Sequence, residues 1–229
     1  MTGQREKMEN MMMPSSIQRF LQRRAIVTLT LTAALVLSLA PSFFIAPAFA
    51  DDPMSVVKTT VDQALDVLRD TQTPLAQRQD KLRQIVSATF DFTEMAKSAL
   101  GYHWKQITPA QQQEFTNAFV AFIEDSYLSK INEYNGQQVS FLRVSNEGPQ
   151  YSQVATDIVQ PKGEPIHVNY RLLQENGTWK IYDVTVDSIS IIANYRNQFN
   201  RVMNNSGYNT LISDLKSKQA ALAASLANH

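Results

Sequence analysis

From residue 53 to about residue 134, apolar positions recur every three or four residues, the period of a helix with one buried stripe. Asp52-Pro53 opens the first such segment, and Val57, Val61, Ala64 and Leu68 form its stripe. Thr73-Pro74 opens the second, with Leu75, Leu82, Ile85 and Phe90. Asp91-Phe92-Thr93-Glu94 has the residue order of a capping box and predicts a short helix from Phe92 to Leu100, ended by Gly101. An aromatic connector, Tyr102 to Ile107, leads to a second box, Thr108-Pro109-Ala110-Gln111. That box predicts the longest helix, to about Tyr134. Phe115, Phe119, Ile123, Tyr127 and Ile131 sit four apart and share one face, flanked by Phe122 and Tyr134.

Beyond Asn135-Gly136 the period changes to two. Strands are expected at about 138–144, 151–159, 166–172 and 179–186. The third and fourth are joined by Asn176-Gly177, the pair that supplies the φ > 0 residues of a tight hairpin turn. Asp187 or Ser188 is expected to cap a helix bearing Ile189, Ile192, Tyr195, Phe199 and Val202. Ser206-Gly207 should break the chain before a last helix with Tyr208, Leu211, Ile212 and Leu215. Helices, then strands, then helices argue an α+β fold: a four-stranded, curved antiparallel sheet packed against several helices. The sequence has no internal repeat or linker to divide residues 51–229, so they are read as one domain.

Residues 1–50 belong to a different class. Arg19, Arg23 and Arg24 precede an apolar run from Ala25 to Leu39, and Ala48-Phe49-Ala50 follows Pro41 and Pro47. Basic start, apolar middle and small-residue end make this a secretory signal peptide with a polar preamble, cleaved before Asp51. An uncleaved membrane anchor is the alternative. Met8, Met11, Met12 and Met13 are all possible starts, and no Cys stands at the cleavage point to carry a lipid anchor.

Charge and chemistry narrow the function by exclusion. The first fifty residues hold five of the 21 Lys/Arg and two of the 21 Asp/Glu, which leaves 16 and 19 and a net charge near −3. A weakly acidic domain is a poor partner for nucleic acid or for an anionic lipid surface. The absence of Cys removes disulfides, thiol chemistry and Cys-ligated metal. His103, His167 and His229 are far apart and form no metal-ligand pattern, and His167 should face solvent on its strand. No nucleophile elbow or phosphate-binding glycine loop occurs, so no cofactor, metal or catalytic residue is expected and the chain is not read as an enzyme. Asp183 and Asp187 are a conceivable carboxylate pair; a strand-surface charge and a helix cap are the simpler reading.

The sequence is instead rich in apolar faces, which by themselves indicate ordinary core. Phe90-Asp91-Phe92-Thr93-Glu94-Met95-Ala96, Ala99-Leu100-Gly101 with Trp104, Thr108 to Gln112 and Glu114-Phe115 form one set of landmarks. Ser126-Tyr127-Leu128, Tyr134 to Gln137, Trp179 to Val184, Ile189-Ser190 and Asn194 to Phe199 form another. Taken together, in order and with this spacing, they make the chain resemble the toluene-tolerance family of MlaC-like periplasmic lipid carriers. The resemblance spans roughly Val56 to Lys216. It implies that sheet and helices enclose an apolar cavity for the two acyl tails of a phospholipid, with the headgroup outside. It also implies partners: an outer-membrane lipoprotein complex, and an inner-membrane ABC transporter with its MCE-domain protein. A hopanoid or other polyisoprenoid carrier is an alternative, because one branch of the family is linked to hopanoids. A non-binding adaptor of a membrane complex is another.

On that resemblance the expected lipid-binding residues lie between the long helix and the sheet. The helix and the segment after it supply Phe119, Tyr127, Ile131 and Tyr134. The first two strands supply Val139, Phe141, Val154 and Ile158, and the third Val168 and Tyr170. The fourth strand and following helix supply Ile181, Val184, Ile189 and Ile192. Tyr127, Tyr134 and Tyr170 are expected to turn their rings inward and keep their hydroxyls at a rim. Headgroup recognition should be weak, since no Arg/Lys cluster marks an anion site.

Overall fold

Local capping fixes the helical half of the chain in a computed structural model that describes residues 52–128, 134–160 and 163–227. Helix α1 is Pro53–Arg69; the Asp52 carboxylate accepts hydrogen bonds from the Met54 and Ser55 N–H groups and relieves its unpaired donors. Helix α2, Leu75–Thr89, follows a turn in which the Asp70 carboxylate accepts from the Thr73 N–H and hydroxyl. Helix α3, Phe92–Leu100, is capped by Asp91, which accepts from the Glu94 N–H at 2.8 Å. A 3₁₀ turn, Gly101–Gln106, takes up the aromatic connector. Helix α4, Pro109–Leu128, opens on a reciprocal capping box: the Gln111 N–H donates to the Thr108 hydroxyl, and the Thr108 N–H to Gln111 Oε1. The expected continuation of this helix toward Tyr134, and Ile131 with it, lies outside the described residues. So does the proposed signal segment.

Among the described residues, five antiparallel strands follow in the order β1-β2-β3-β4-β5. They are β1 Gln138–Gly148, β2 Tyr151–Val159, β3 Ile166–Glu175, β4 Thr178–Val186 and β5 Ile189–Ser190. Asn176 and Gly177 turn β3 into β4 with φ of 50° and 80°. The fifth strand corrects the four-stranded expectation. Asp187 and Ser188 also take positive φ, 45° and 70°, and form a second tight turn instead of a helix cap. Helix α5 therefore starts later, at Ile191, and runs to Ala227 with a non-helical Gly207 (φ 75°) at the expected break.

The cap of α5 comes from the neighbouring strand. Asp183, 3% exposed, accepts from the Ser190 hydroxyl at 2.6 Å and from the Ile192 N–H at 3.1 Å. Ser190 in turn accepts from the Ala193 N–H. The reading of Asp183 as a surface charge is thus replaced by a buried carboxylate that compensates the positive N-terminus of α5.

Two packed regions flank the site. One is an aromatic core between α4 and α5: Phe115, Phe119 and Phe122 meet Tyr195 and Phe199, with several ring pairs at right angles and 5.6–5.7 Å apart. The other joins the start of α1 to one end of the sheet, with Val57, Val154, Leu172 and Ile181 fully buried together.

Candidate functional site

Between those two regions the sheet face is left uncovered by close packing. Residues Ile166, Val168, Tyr170 and Leu172 alternate onto one face of β3, and their partners Ile158, Thr156 and Val154 on β2 share it. At the Leu172 end the face is filled by Val57 of α1. At the Ile166 end the second half of α1 bridges over it without filling it. The result is a cavity of about 450 Å³, within the roughly 300–1,000 Å³ of sites that enclose small apolar ligands.

Its walls are built element by element. Helices α1 and α2 form one side with Val61, Ala64, Leu65, Leu68, Leu82 and Val86. Phe90, Phe92 and Met95 close the α2–α3 junction, which is tied to the sheet where the Asp91 N–H donates to the Ile181 carbonyl at 2.8 Å. The last turns of α4 bring Ile123, Tyr127 and Leu128, and the sheet brings Val139, Ile158, Ile166, Val168, Tyr170, Val184 and Val186. Ile191 completes the lining from α5.

The polar groups are few. Tyr127 and Tyr170 carry hydroxyls that burial raises above the usual tyrosine range, Tyr170 to about 12, although a hydrogen bond with Thr156 lowers it somewhat. The Tyr170 hydroxyl thus lies against the buried Thr156. Tyr134 lines the cavity too, its hydroxyl 3.4 Å from the Gln137 carbonyl oxygen. Arg83 is the one cation among the described lining residues. It contacts Asp125 at 3.0 Å, Asp80 at 3.1 Å and Glu124 at 3.9 Å, and Gln219 of α5 donates to the other Asp125 oxygen. The cluster ties α2, α4 and α5 together beside the cavity and leaves no excess positive charge. Burial pushes the Glu124 carboxyl up; Arg83 opposes this and Asp125 adds to it.

The residues expected to meet lipid divide accordingly. Tyr127, Tyr134, Val139, Ile158, Val168, Tyr170 and Val184 line the cavity. Phe119 and Ile192 do not: both are buried in the aromatic core. Val154 and Ile181 are likewise consumed by packing against Val57, and Phe141 is half-buried on that same cluster beneath the Lys58 ammonium. Ile189 is 41% exposed, because the Asp187-Ser188 turn places it on β5 instead of the helix stripe. Sequence reasoning passed over the α1 and α2 stripes, which were legible as helix faces but carried no sign of what they face. It also passed over Arg83, Glu124 and Gln137, which no spacing rule connects. His167 is exposed as expected, and its Nδ1 lies 2.6 Å from Asp157.

Comparison with known proteins points the same way. The chain is 24% identical over 199 residues to the intermembrane phospholipid transport system binding protein MlaC of Haemophilus influenzae, covering 83% of this chain and 90% of that one. It is 25% identical over 177 residues to the toluene tolerance protein ttg2D of Pseudomonas putida, covering 75% and 82%. Among solved structures it is similar to the phospholipid-binding protein from Ralstonia solanacearum in complex with a phospholipid. There the TM-score is 0.68 at 25% identity, with 75% of this chain and 99% of that one covered. The MlaC protein family model matches residues 58–217, a span that holds both helical walls and the whole sheet, and the chain belongs to that family.

Proposed function

We propose that residues 51–229 form a periplasmic carrier domain, exported by a cleavable signal peptide, that encloses the acyl tails of a phospholipid in the cavity. The observation that carries the reading is a lining drawn from α1, α2, α4 and the sheet that is apolar over nearly its whole surface. It is supported by membership of the MlaC family and by the phospholipid in the R. solanacearum relative. The chain then moves lipid between an outer-membrane lipoprotein complex and the MCE-domain protein of an inner-membrane ABC transporter, without covalent chemistry. The name of the H. influenzae relative supports the transport role.

Physics explains why such a carrier needs a dry interior. Two tails with ~30 methylenes cost on the order of 24 kcal/mol to expose to water. Only nearly complete burial lets a protein lift them from a bilayer, and because both environments are apolar the net exchange stays small and reversible. Native mass spectrometry of the protein purified from a periplasm, with solvent extraction of the bound material, is the test. A one-to-one diacyl phospholipid adduct is expected. A polycyclic adduct would replace phospholipid by a hopanoid. A bare protein that also takes up nothing from phospholipid vesicles would overturn the carrier reading.

A further inference from the structure

Two opposite charges in the cavity lining face each other without closing. Arg83 of α2 commits its terminal nitrogens to Asp80 and Asp125, at 3.1 and 3.0 Å. Its Nε comes only to 3.9 Å from the Glu124 carboxylate of α4, too far for a hydrogen bond. Neither that Nε nor Glu124 has a hydrogen-bond partner among the described residues. Both residues line the cavity, with 33% of the Arg83 side chain and 18% of the Glu124 side chain exposed, so the pair stands where the apolar interior meets water.

A carboxylate drawn this far out of water needs a donor or a cation of its own. Asp125 has both, from Arg83 and from Gln219 Nε2 at 2.8 Å. Glu124 has only a distant share of a cation that two other carboxylates already hold. One positive group against three negative ones disfavours a ligand whose sole charge is a phosphate and suits one that brings a cation. A primary ammonium supplies that charge together with three N–H donors. In a glycerophospholipid it lies two carbons beyond the phosphate, on the part left outside when the tails are enclosed. The uncommitted Arg83 Nε–H offers a donor to the phosphate of the same headgroup. We propose that Glu124 receives the ammonium of an ethanolamine-type headgroup, so that the carrier prefers zwitterionic aminophospholipids to anionic lipids with the same tails. This rests on the carrier reading above and adds the headgroup class that the site recognises.

The test is competition for the delipidated protein between phosphatidylethanolamine and phosphatidylpropanol with identical short acyl chains, both kept monomeric so that no bilayer biases the exchange. The two lipids differ by an ammonium in place of a methyl group. The wild type at low salt should prefer the ethanolamine lipid by about fivefold, the size of a partly screened ion pair. Added salt should shrink the preference, and Glu124→Gln, which keeps the shape and removes the charge, should bring the ratio near one. A wild-type ratio near one at low salt overturns the inference and leaves the carrier reading standing. So does a preference that persists unchanged in Glu124→Gln or in high salt. Binding of neither lipid, with no uptake of long-chain phospholipid from vesicles, overturns both. The wild-type ratio and its salt dependence need no variant, so a Glu124→Gln chain that fails to fold does not shield the proposal.

Discussion

Filling the cavity should strengthen the fold and weaken lipid binding at once, and Val168→Phe is the substitution that shows it. Val168 and Leu172 share one face of β3, four residues or about 13 Å apart. Val168 lines the cavity, whereas Leu172 is fully buried in packed core. Valine to phenylalanine adds four carbons. No hydrogens are added with them, so the packed volume grows by only about 50 Å³, well inside the 450 Å³ available. At roughly 24 cal/mol per Å³ of cavity removed, the upper bound is about 1 kcal/mol of added stability. After rotamer and fit losses, roughly 0.5–1 kcal/mol should remain, a rise in Tm of about 1–4 °C. The same ring displaces about two methylenes of lipid, at ~0.8 kcal/mol each, so affinity should fall on the order of 10-fold. Leu172→Phe is the control: overpacking there should cost about 1–3 kcal/mol. The measurements are urea unfolding of delipidated protein and displacement of a fluorescent phospholipid. Destabilisation of Val168→Phe to the extent of Leu172→Phe would refute the claim that the sheet face is open at this end. A stabilised Val168→Phe that binds lipid as before would show that the tails go elsewhere.

Three further outcomes follow from buried polar groups. Tyr170 titrates at about 12 in the folded chain, against 10.0 ordinarily. The folded state therefore holds its proton where the unfolded chain has lost it, and its contribution is full below pH 10 and lost as pH rises toward 12, by up to about 1.4 kcal/mol per pH unit. Urea unfolding across pH 9–12 should show that decline, and Tyr170→Phe should lessen its slope without abolishing it, since burial also raises Tyr127, Tyr182, Tyr195 and Tyr208; a slope unchanged in Tyr170→Phe would exclude this hydroxyl as a contributor. Asp183→Ala removes the acceptor for Ser190 and for the Ile192 N–H and should cost about 2–4 kcal/mol in denaturant unfolding, with lipid uptake by the remaining folded fraction unaltered; retained stability with abolished function would instead give Asp183 a chemical role. Arg83→Met leaves Glu124 and Asp125 facing each other without their cation. With a third of the Arg83 side chain exposed, solvent screening holds the expected loss to about 1–2 kcal/mol. That loss should shrink as the pH is lowered and the Glu124 carboxyl, already raised by burial, takes up a proton. A loss independent of pH would count against the account.

Much of this protein is written in short-range chemistry. The Asp91 N-cap, the capping box at Thr108, the Asp52-Pro53 start, the Asn176-Gly177 turn and the break at Gly207 act within four residues, so each is legible in the sequence and each stands in the fold; of the box expected at Asp91 only the cap forms, its own N–H going to the Ile181 carbonyl. The period of apolar residues likewise determines which face of a helix or strand turns inward, because that follows from backbone geometry alone. What the sequence does not hold is how an inward face is divided between packing and space. Val168 and Leu172 are equivalent in period, as are Tyr127 and Phe119, yet the first of each pair lines the cavity and the second fills core. The difference lies in the element opposite: Val57 reaches the sheet at one end, and at the other end α1 stands off from it. The same holds for Asp183, Arg83 and Gln137, whose partners are remote in sequence or, for the Gln137 amide, absent among the described residues. Solvation of a buried group depends on every chain segment around it, and only the assembled tertiary structure brings those segments together.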